Sequence, residues 1–200
     1  MKSLLLAGGR SSRMGFDKAL FEIEGRPMIE HVAIALAGAG LEPIRIAVAK
    51  PSDVDKYGSA IGMSLDIEWV LDSTPHAGPI EAIIEAISDL DEGSGLLQLA
   101  PVDYPRISEE VFNSLNESIG VSDSLIMPHD GKMSHPLLAL IRPMEVLEEI
   151  GKNRSPLHVQ FTDMKHSLLV VDSMTLTNVN TPDDLDRESA STKEIDSLGV

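Results

Sequence analysis

The chain has 200 residues, with 16 basic and 32 acidic side chains, a formal net charge of −16 and no cysteine. That charge argues against non-specific binding to nucleic acid or an anionic membrane, and the missing cysteine excludes disulfides, thiolate metal sites and a cysteine nucleophile. The length suits one compact domain with a full α/β core, and no window approaches the ~20 uninterrupted apolar residues of a membrane span.

In chain order, residues 2–7 read as a buried strand that breaks into a glycine-rich loop carrying Arg10, Arg13 and Lys18. The apolar stretch is too short, and too soon followed by arginines, for a secretory signal, so a cytoplasmic location is the default expectation. Gly8 and Gly9 allow the main chain to approach a ligand closely. Backbone N–H groups in such a turn form an anion-binding nest, and the three cations complete a phosphate cradle. The loop is neither GxxxxGK[ST] nor GxGxxG. A helix over 27–37 follows, with Pro27 at its first position and Gly38 and Gly40 as its stop. Strands over 44–49 and 66–71 flank a helix over 52–61, and the second of these strands ends at Asp72. Gly78-Pro79 opens a helix over 79–90, whose N-terminus favours an anion.

The next strand, 95–100, runs into Asp103 between Pro101 and Pro105, and an amphipathic helix follows over 108–118. Strands over 124–127 and 137–141 enclose the turn 129–132, and the region 123–156 reads as a hairpin excursion over a crevice. A helix over 143–150 and a strand over 167–171 come next. Residues 178–182 read as an edge strand running into a helix capped by Thr181 with Pro182 at N1. Residues 1–186 then form one domain, and 187–200 a polar, frayed tail. Alternating strands and helices imply an α/β, Rossmann-like, doubly wound and mostly parallel sheet with helices on both faces.

Ligands of such sheets bind beyond the carboxyl ends of the strands. The loop from Gly8 to Lys18, Asp72 and Asp103 each follow a strand, so a parallel sheet brings them to one edge. Asp103 suits Mg²⁺, which takes one or two protein carboxylates together with phosphate oxygens and water; a turn or capping role is the alternative. Asp72 suits guanine N–H groups or ribose hydroxyls, with an Asx turn as its alternative. His135 is either a ligand contact or a structural group, and the amides of Asn178 and Asn180 suit a heterocycle, a phosphate or simple capping. No HxxxH, HExxH or GxSxG spacing is present.

The segments LAGGRSSRMGFDKAL (6–20), LDSTPHAGPI (71–80), PVDYP (101–105), HPLLAL (135–140) and NVNTPDDL (178–185) follow one another over nearly the whole chain. Their ordered set resembles the molybdenum cofactor guanylyltransferases, the MobA-like family of nucleotidyltransferases on a nucleotide-diphospho-sugar transferase-like sheet. The resemblance implies transfer of GMP from GTP to the terminal phosphate of molybdopterin or molybdenum-molybdopterin, with pyrophosphate released. It assigns Leu6, Ala7, Gly8 and Gly9 to backbone contacts with the nucleotide, Lys18 to its phosphates, and Arg13 to the attacked α-phosphate. Asp72 then helps bind the nucleotide, Asp103 binds it and holds Mg²⁺, and Gly78, His135, Asn178 and Asn180 face the acceptor. Other cofactor-biosynthesis proteins are implied partners. Two departures stand out: Ala82 replaces the second glycine of GPLAG, and Lys50 stands near a position where the family often has Asn. A cytidylyltransferase, another NTP-dependent transferase on the same scaffold, and a nucleotide-binding partner without catalysis are the competing readings.

Overall fold

A computed structural model describes residues 2–8, 17–62, 64–74, 78–180 and 184. Its centre is a seven-stranded sheet built from β1 (Lys2–Leu6), β4 (Ile44–Val48), β5 (Ile67–Leu71), β6 (Leu97–Pro101), β7 (Leu125–His129), β8 (Leu140–Ile141) and β9 (His166–Val170). The spatial order is β5-β4-β1-β6-β8-β7-β9. Every pairing is parallel except those of β8, which runs antiparallel to both β6 and β7. A mostly parallel, doubly wound α/β sheet is therefore the observed architecture.

Strand alternation sends consecutive residues to opposite faces, and β1 shows the result. Leu4 and Leu5 are both fully buried but belong to different cores. One core holds Leu5, Ile44 and Ile46 against α1 (Met28–Gly38), α2 (Pro51–Gly58) and α4 (Glu109–Ser118), through Val32, Leu36, Tyr57, Phe112 and Leu115. The other holds Leu4, Leu97 and Leu99 against α3 (Pro79–Ile87), α5 (Pro143–Glu149) and α6 (Leu157–Asp163), through Ile83, Ile87, Val146 and Phe161. Burial on both faces is what makes β4 and β6 apolar runs rather than alternating ones.

Several elements differ from the sequence-based expectation. The 137–141 strand is instead a 3-10 turn, Pro136–Leu138, followed by the two-residue β8; Pro136 starts the turn because its fixed φ suits a first helical position. Region 123–156 is no excursion over a crevice, because β7 and β8 are integral strands of the sheet. Residues 178–180 form no strand, and the edge of the sheet on that side is β9. The helix cap expected at Thr181 and Pro182, and the tail 187–200, lie outside the described residues. A hairpin, helix α6 and the 3-10 turns Lys18–Leu20 and Glu92–Ser94 lie outside the expected pattern. The hairpin of β2 (Glu22–Ile23) and β3 (Arg26–Pro27) turns through Glu24 and Gly25, both at positive φ, as a two-residue type I′ loop requires. Helix α6 spans 7 residues and is not among the expected helices. No described helix is long and apolar enough to cross a membrane.

Candidate active site

At the carboxyl ends of β1, β5 and β6 the chain encloses a cavity of about 450 Å³. Its wall includes Leu6, Ala7, Gly8, Asp17, Lys18, Asp72, Gly78, Pro79, Ala82, Asp103, Leu137 and Asn180. Residues far apart in sequence meet there because most of them follow strands that end at the same rim, while Leu137 stands just before the antiparallel β8. The cavity lies within the size range of sites for small ligands and cofactors.

Gly8 continues β1, and Ala7 N–H donates to the carbonyl of Ala47 at 3.1 Å. A Cβ on Gly8 would lie 2.9 Å from Oδ2 of Asp72. The missing side chain is thus what lets the Asp72 carboxylate pack against Gly8 where the chain leaves β1. Asp72 itself is anchored by its N–H to Val48 O at 2.9 Å. Across the cavity, Gly78 adopts φ +125 and leads into Pro79, the first residue of α3. A positive φ of that size suits glycine, and it sets the α3 N-terminus against the cavity.

Lys18 is the charged centre. Its ammonium donates to Asn180 Oδ1 at 2.8 Å and to Asp103 Oδ2 at 3.3 Å, with side-chain exposures of 14% for Lys18 and 22% for Asp103. Asp17 fixes the turn that presents it: the carboxylate accepts from Ala19 N–H at 3.1 Å and caps the 3-10 turn Lys18–Leu20. The same carboxylate takes the Tyr57 hydroxyl at 3.0 and 3.2 Å and pairs with Lys56. Burial, reinforced by Asp17, raises the Tyr57 hydroxyl far above its ordinary pKa. It therefore stays protonated and able to donate. Asp17 is the first acid of the loop and stands immediately before Lys18 in sequence, and its capping role emerges only from the fold.

Asp103 leaves β6 in a turn tied on three sides. Val102 N–H donates to Leu6 O at 3.4 Å, Val179 N–H donates to Asp103 O at 2.9 Å, and the Tyr104 hydroxyl meets His135 Nδ1 at 3.0 Å. No group of three or more His, Cys, Asp or Glu side chains converges on a metal position among the described residues. Yet the oxygens of Asp103 and Asn180 already flank one cation, the Lys18 ammonium. Two hard oxygen donors, open to a cavity where phosphates can complete the shell, fit Mg²⁺.

The sequence-based site residues distribute as follows. Leu6, Ala7, Gly8, Lys18, Asp72, Gly78, Asp103 and Asn180 line the one cavity. Asn180 contacts Lys18, and its own N–H donates to Asp184 Oδ2 at 2.9 Å. Asn178 is exposed and stands outside the described cavity wall. His135 is 8% exposed and also outside that wall; the cavity residue of its segment is Leu137. Gly9, Arg10 and Arg13 lie outside the described residues. Lys50 is exposed just before α2, and Ala82 lines the cavity.

A family model described as the MobA-like NTP transferase domain matches residues 3–161. The chain belongs to that family. Among curated relatives, a molybdenum cofactor guanylyltransferase of Shewanella halifaxensis is 27% identical over 192 residues, covering 90% of each chain. A solved structure of molybdopterin-guanine dinucleotide biosynthesis protein A from Archaeoglobus fulgidus matches with a TM-score of 0.70 at 22% identity, covering 96% of this chain and 100% of that one. The 4-diphosphocytidyl-2C-methyl-D-erythritol synthase of Anaerococcus prevotii matches with a TM-score of 0.76 at 15% identity, covering 96% and 95%. These likenesses establish the nucleotide-diphospho-sugar transferase fold, and the family makes the chain a nucleotidyltransferase.

Proposed function

We propose that this nucleotidyltransferase transfers GMP from GTP to the terminal phosphate of molybdopterin or molybdenum-molybdopterin and releases pyrophosphate. One observation carries the reading: Gly8, Lys18, Asp72, Asp103 and Asn180 share a single cavity at the strand ends, in a chain whose relatives bear the name of that activity.

The chemistry needs little from the protein beyond placement and charge. An oxygen of the acceptor phosphate bonds to the α-phosphorus of GTP. The bond from that phosphorus to the bridging oxygen breaks, and its electron pair departs with pyrophosphate. The attacking oxygen is already anionic near neutral pH, so no strong general base is required, in keeping with a cavity wall free of histidine and cysteine among the described residues. Rate enhancement then comes from alignment and from neutralising the charge on the phosphates. The main chain of Leu6 to Gly8, with Asp72, seats the nucleoside, and Lys18 donates to the phosphate oxygens. By the family resemblance, Arg13 steadies the α-phosphate. Mg²⁺, held by Asp103 with Asn180 as a second oxygen donor, supplies further charge neutralisation when bound. The α3 N-terminus adds a favourable field for an anion on the acceptor side.

Incubation with each of the four NTPs, Mg²⁺ and molybdopterin, followed by mass analysis and a pyrophosphate assay, tests the proposal. GTP alone should yield the dinucleotide with matching pyrophosphate. A product from CTP would reassign the chain as a cytidylyltransferase, and nucleotide binding without pyrophosphate would leave a binding module.

A further inference from the structure

His135 is buried and outside the described cavity wall, so its chemistry calls for another account. Its ring stands edge-on to Tyr104, with centroids 5.7 Å apart and planes at 89°. Nε2 lies 3.4 Å from Oδ2 of Asp130, outside hydrogen-bond geometry. The negative charge of the carboxylate favours the tautomer that carries its proton on Nε2. Nδ1 is then the acceptor, and the Tyr104 hydroxyl donates to it. Asp130 is itself fixed by the N–H groups of Lys132 and Met133 at 2.7 and 2.8 Å. The result is an ordered chain from the 130–133 turn through the imidazole to the phenol.

What that chain holds is the residue next to Tyr104. Asp103 has Val102 on one side, tied to β1 through Leu6 O, and Tyr104 on the other. Resting on the nucleotidyl-transfer reading above, we infer that Tyr104, His135 and Asp130 form a positioning network that sets the Asp103 carboxylate for its divalent cation. His135 acts inside the protein, as the link between the β6 turn and the Pro136–Leu138 turn whose Leu137 lines the cavity. Groups that orient a metal ligand without touching the metal typically change affinity or activity 10–100-fold when lost.

The test uses Mn²⁺ as the probe, titrated into the full chain with GTP and followed by the relaxation enhancement of water protons. Y104F removes one oxygen and leaves the ring in the core; H135L removes the acceptor. Each should weaken Mn²⁺ binding about tenfold, with metal-free GTP binding unchanged. H135N keeps an oxygen near the position of Nδ1 and should restore most of the Mn²⁺ affinity. The Y104F/H135L double variant should be no weaker than its weaker parent, since both break one link. Native-like Mn²⁺ affinity in both Y104F and H135L overturns the inference. So does an equal loss in H135N and H135L, or an equal loss in metal-free GTP binding, because either would reduce the network to packing. If the native chain itself shows no enhancement with Mn²⁺ and GTP, the guanylyl-transfer reading falls with it. If the native chain releases pyrophosphate and Y104F shows the same Mg²⁺ requirement, the positioning role alone falls.

Discussion

Two of the clusters among the described residues, in each of which one cation joins partners from distant elements, lie toward opposite ends of the sheet. Near the start of β4, Arg45 is 8% exposed and reaches Glu68 at 3.0 Å, both oxygens of Asp89 at 2.7 and 2.5 Å, and the carbonyl of Ala86. The planar guanidinium fills each of these acceptors in one fixed geometry. Its hydrogen bonds hold the Asp89 carboxyl below the ordinary carboxylate range. At the carboxyl ends, Lys18 brings a compact, rotatable ammonium to Asp103 and Asn180, beside a cavity of about 450 Å³. The first cluster locks α3 to the sheet. The second presents its charge to whatever enters. On the proposed reading, choice of cation and of strand end separates structure from chemistry here, although each cluster joins a cation to at least one carboxylate.

Substitutions can break that division or sharpen it. The largest effect belongs to the cavity. K18A and D103A should each lower kcat/KM for pyrophosphate release by about 10²–10³-fold, the scale of losing one preorganised charge contact. Their thermal midpoints should stay near the native value, and a large drop there would merge the two clusters into one structural class. R45M should do the reverse. It leaves the carbonyl of Ala86 without its donor and should cost about 2 kcal/mol in urea unfolding, while kcat/KM stays native. The solvent access of Asp89 and Glu68 keeps the loss below that of a fully buried pair.

G8A falls between the clusters in kind. Its new methyl meets Asp72 Oδ2 at 2.9 Å, so the carboxylate must shift, and the KM for nucleotide should rise about tenfold, as small misplacements of positioning groups do. The smallest effect is in acid. The N–H groups of Met133 and Lys132 pull Asp130 from 3.8 down to about 2. A carboxylate whose folded pKa is depressed stabilises the fold above its unfolded pKa and loses that contribution as pH falls toward the folded value. Native stability should therefore decline between about pH 4 and pH 2, and D130N should flatten that decline in urea midpoints taken across the range.

How much of this was legible beforehand follows from the range of each interaction. The strands β1, β4, β5 and β6 are near-continuous apolar runs, and the rule that ligands sit beyond strand carboxyl ends placed Gly8, Lys18, Asp72 and Asp103 together without coordinates. Asn180 was noticed as an amide, but its partner Lys18 stands 162 positions away and no local pattern links the two. His135 invited a ligand role because a histidine before a strand carries no sign of Tyr104, 31 residues upstream. Arg45 interrupts an otherwise apolar strand, a signal of buried pairing that went unread. The 3-10 turn and short β8 were merged into one strand because Leu137 to Ile141 is apolar throughout, and hydropathy does not register chain direction.

That direction has its own consequence. β8 runs against its neighbours, so the end it offers to the rim beside Asp103 is its beginning, and the chain enters it through the Pro136–Leu138 turn. At β1, β4, β5 and β6 the rim is an exit loop that leads on to a helix before the chain returns to the sheet. Here it is an approach, delivered by a turn that buries Leu138 in the core and closed by two residues of ladder. The mouth can therefore be reshaped on this flank at the exposed residues 131–133, while Asp130 and His135 hold the turn and both cores keep their packing.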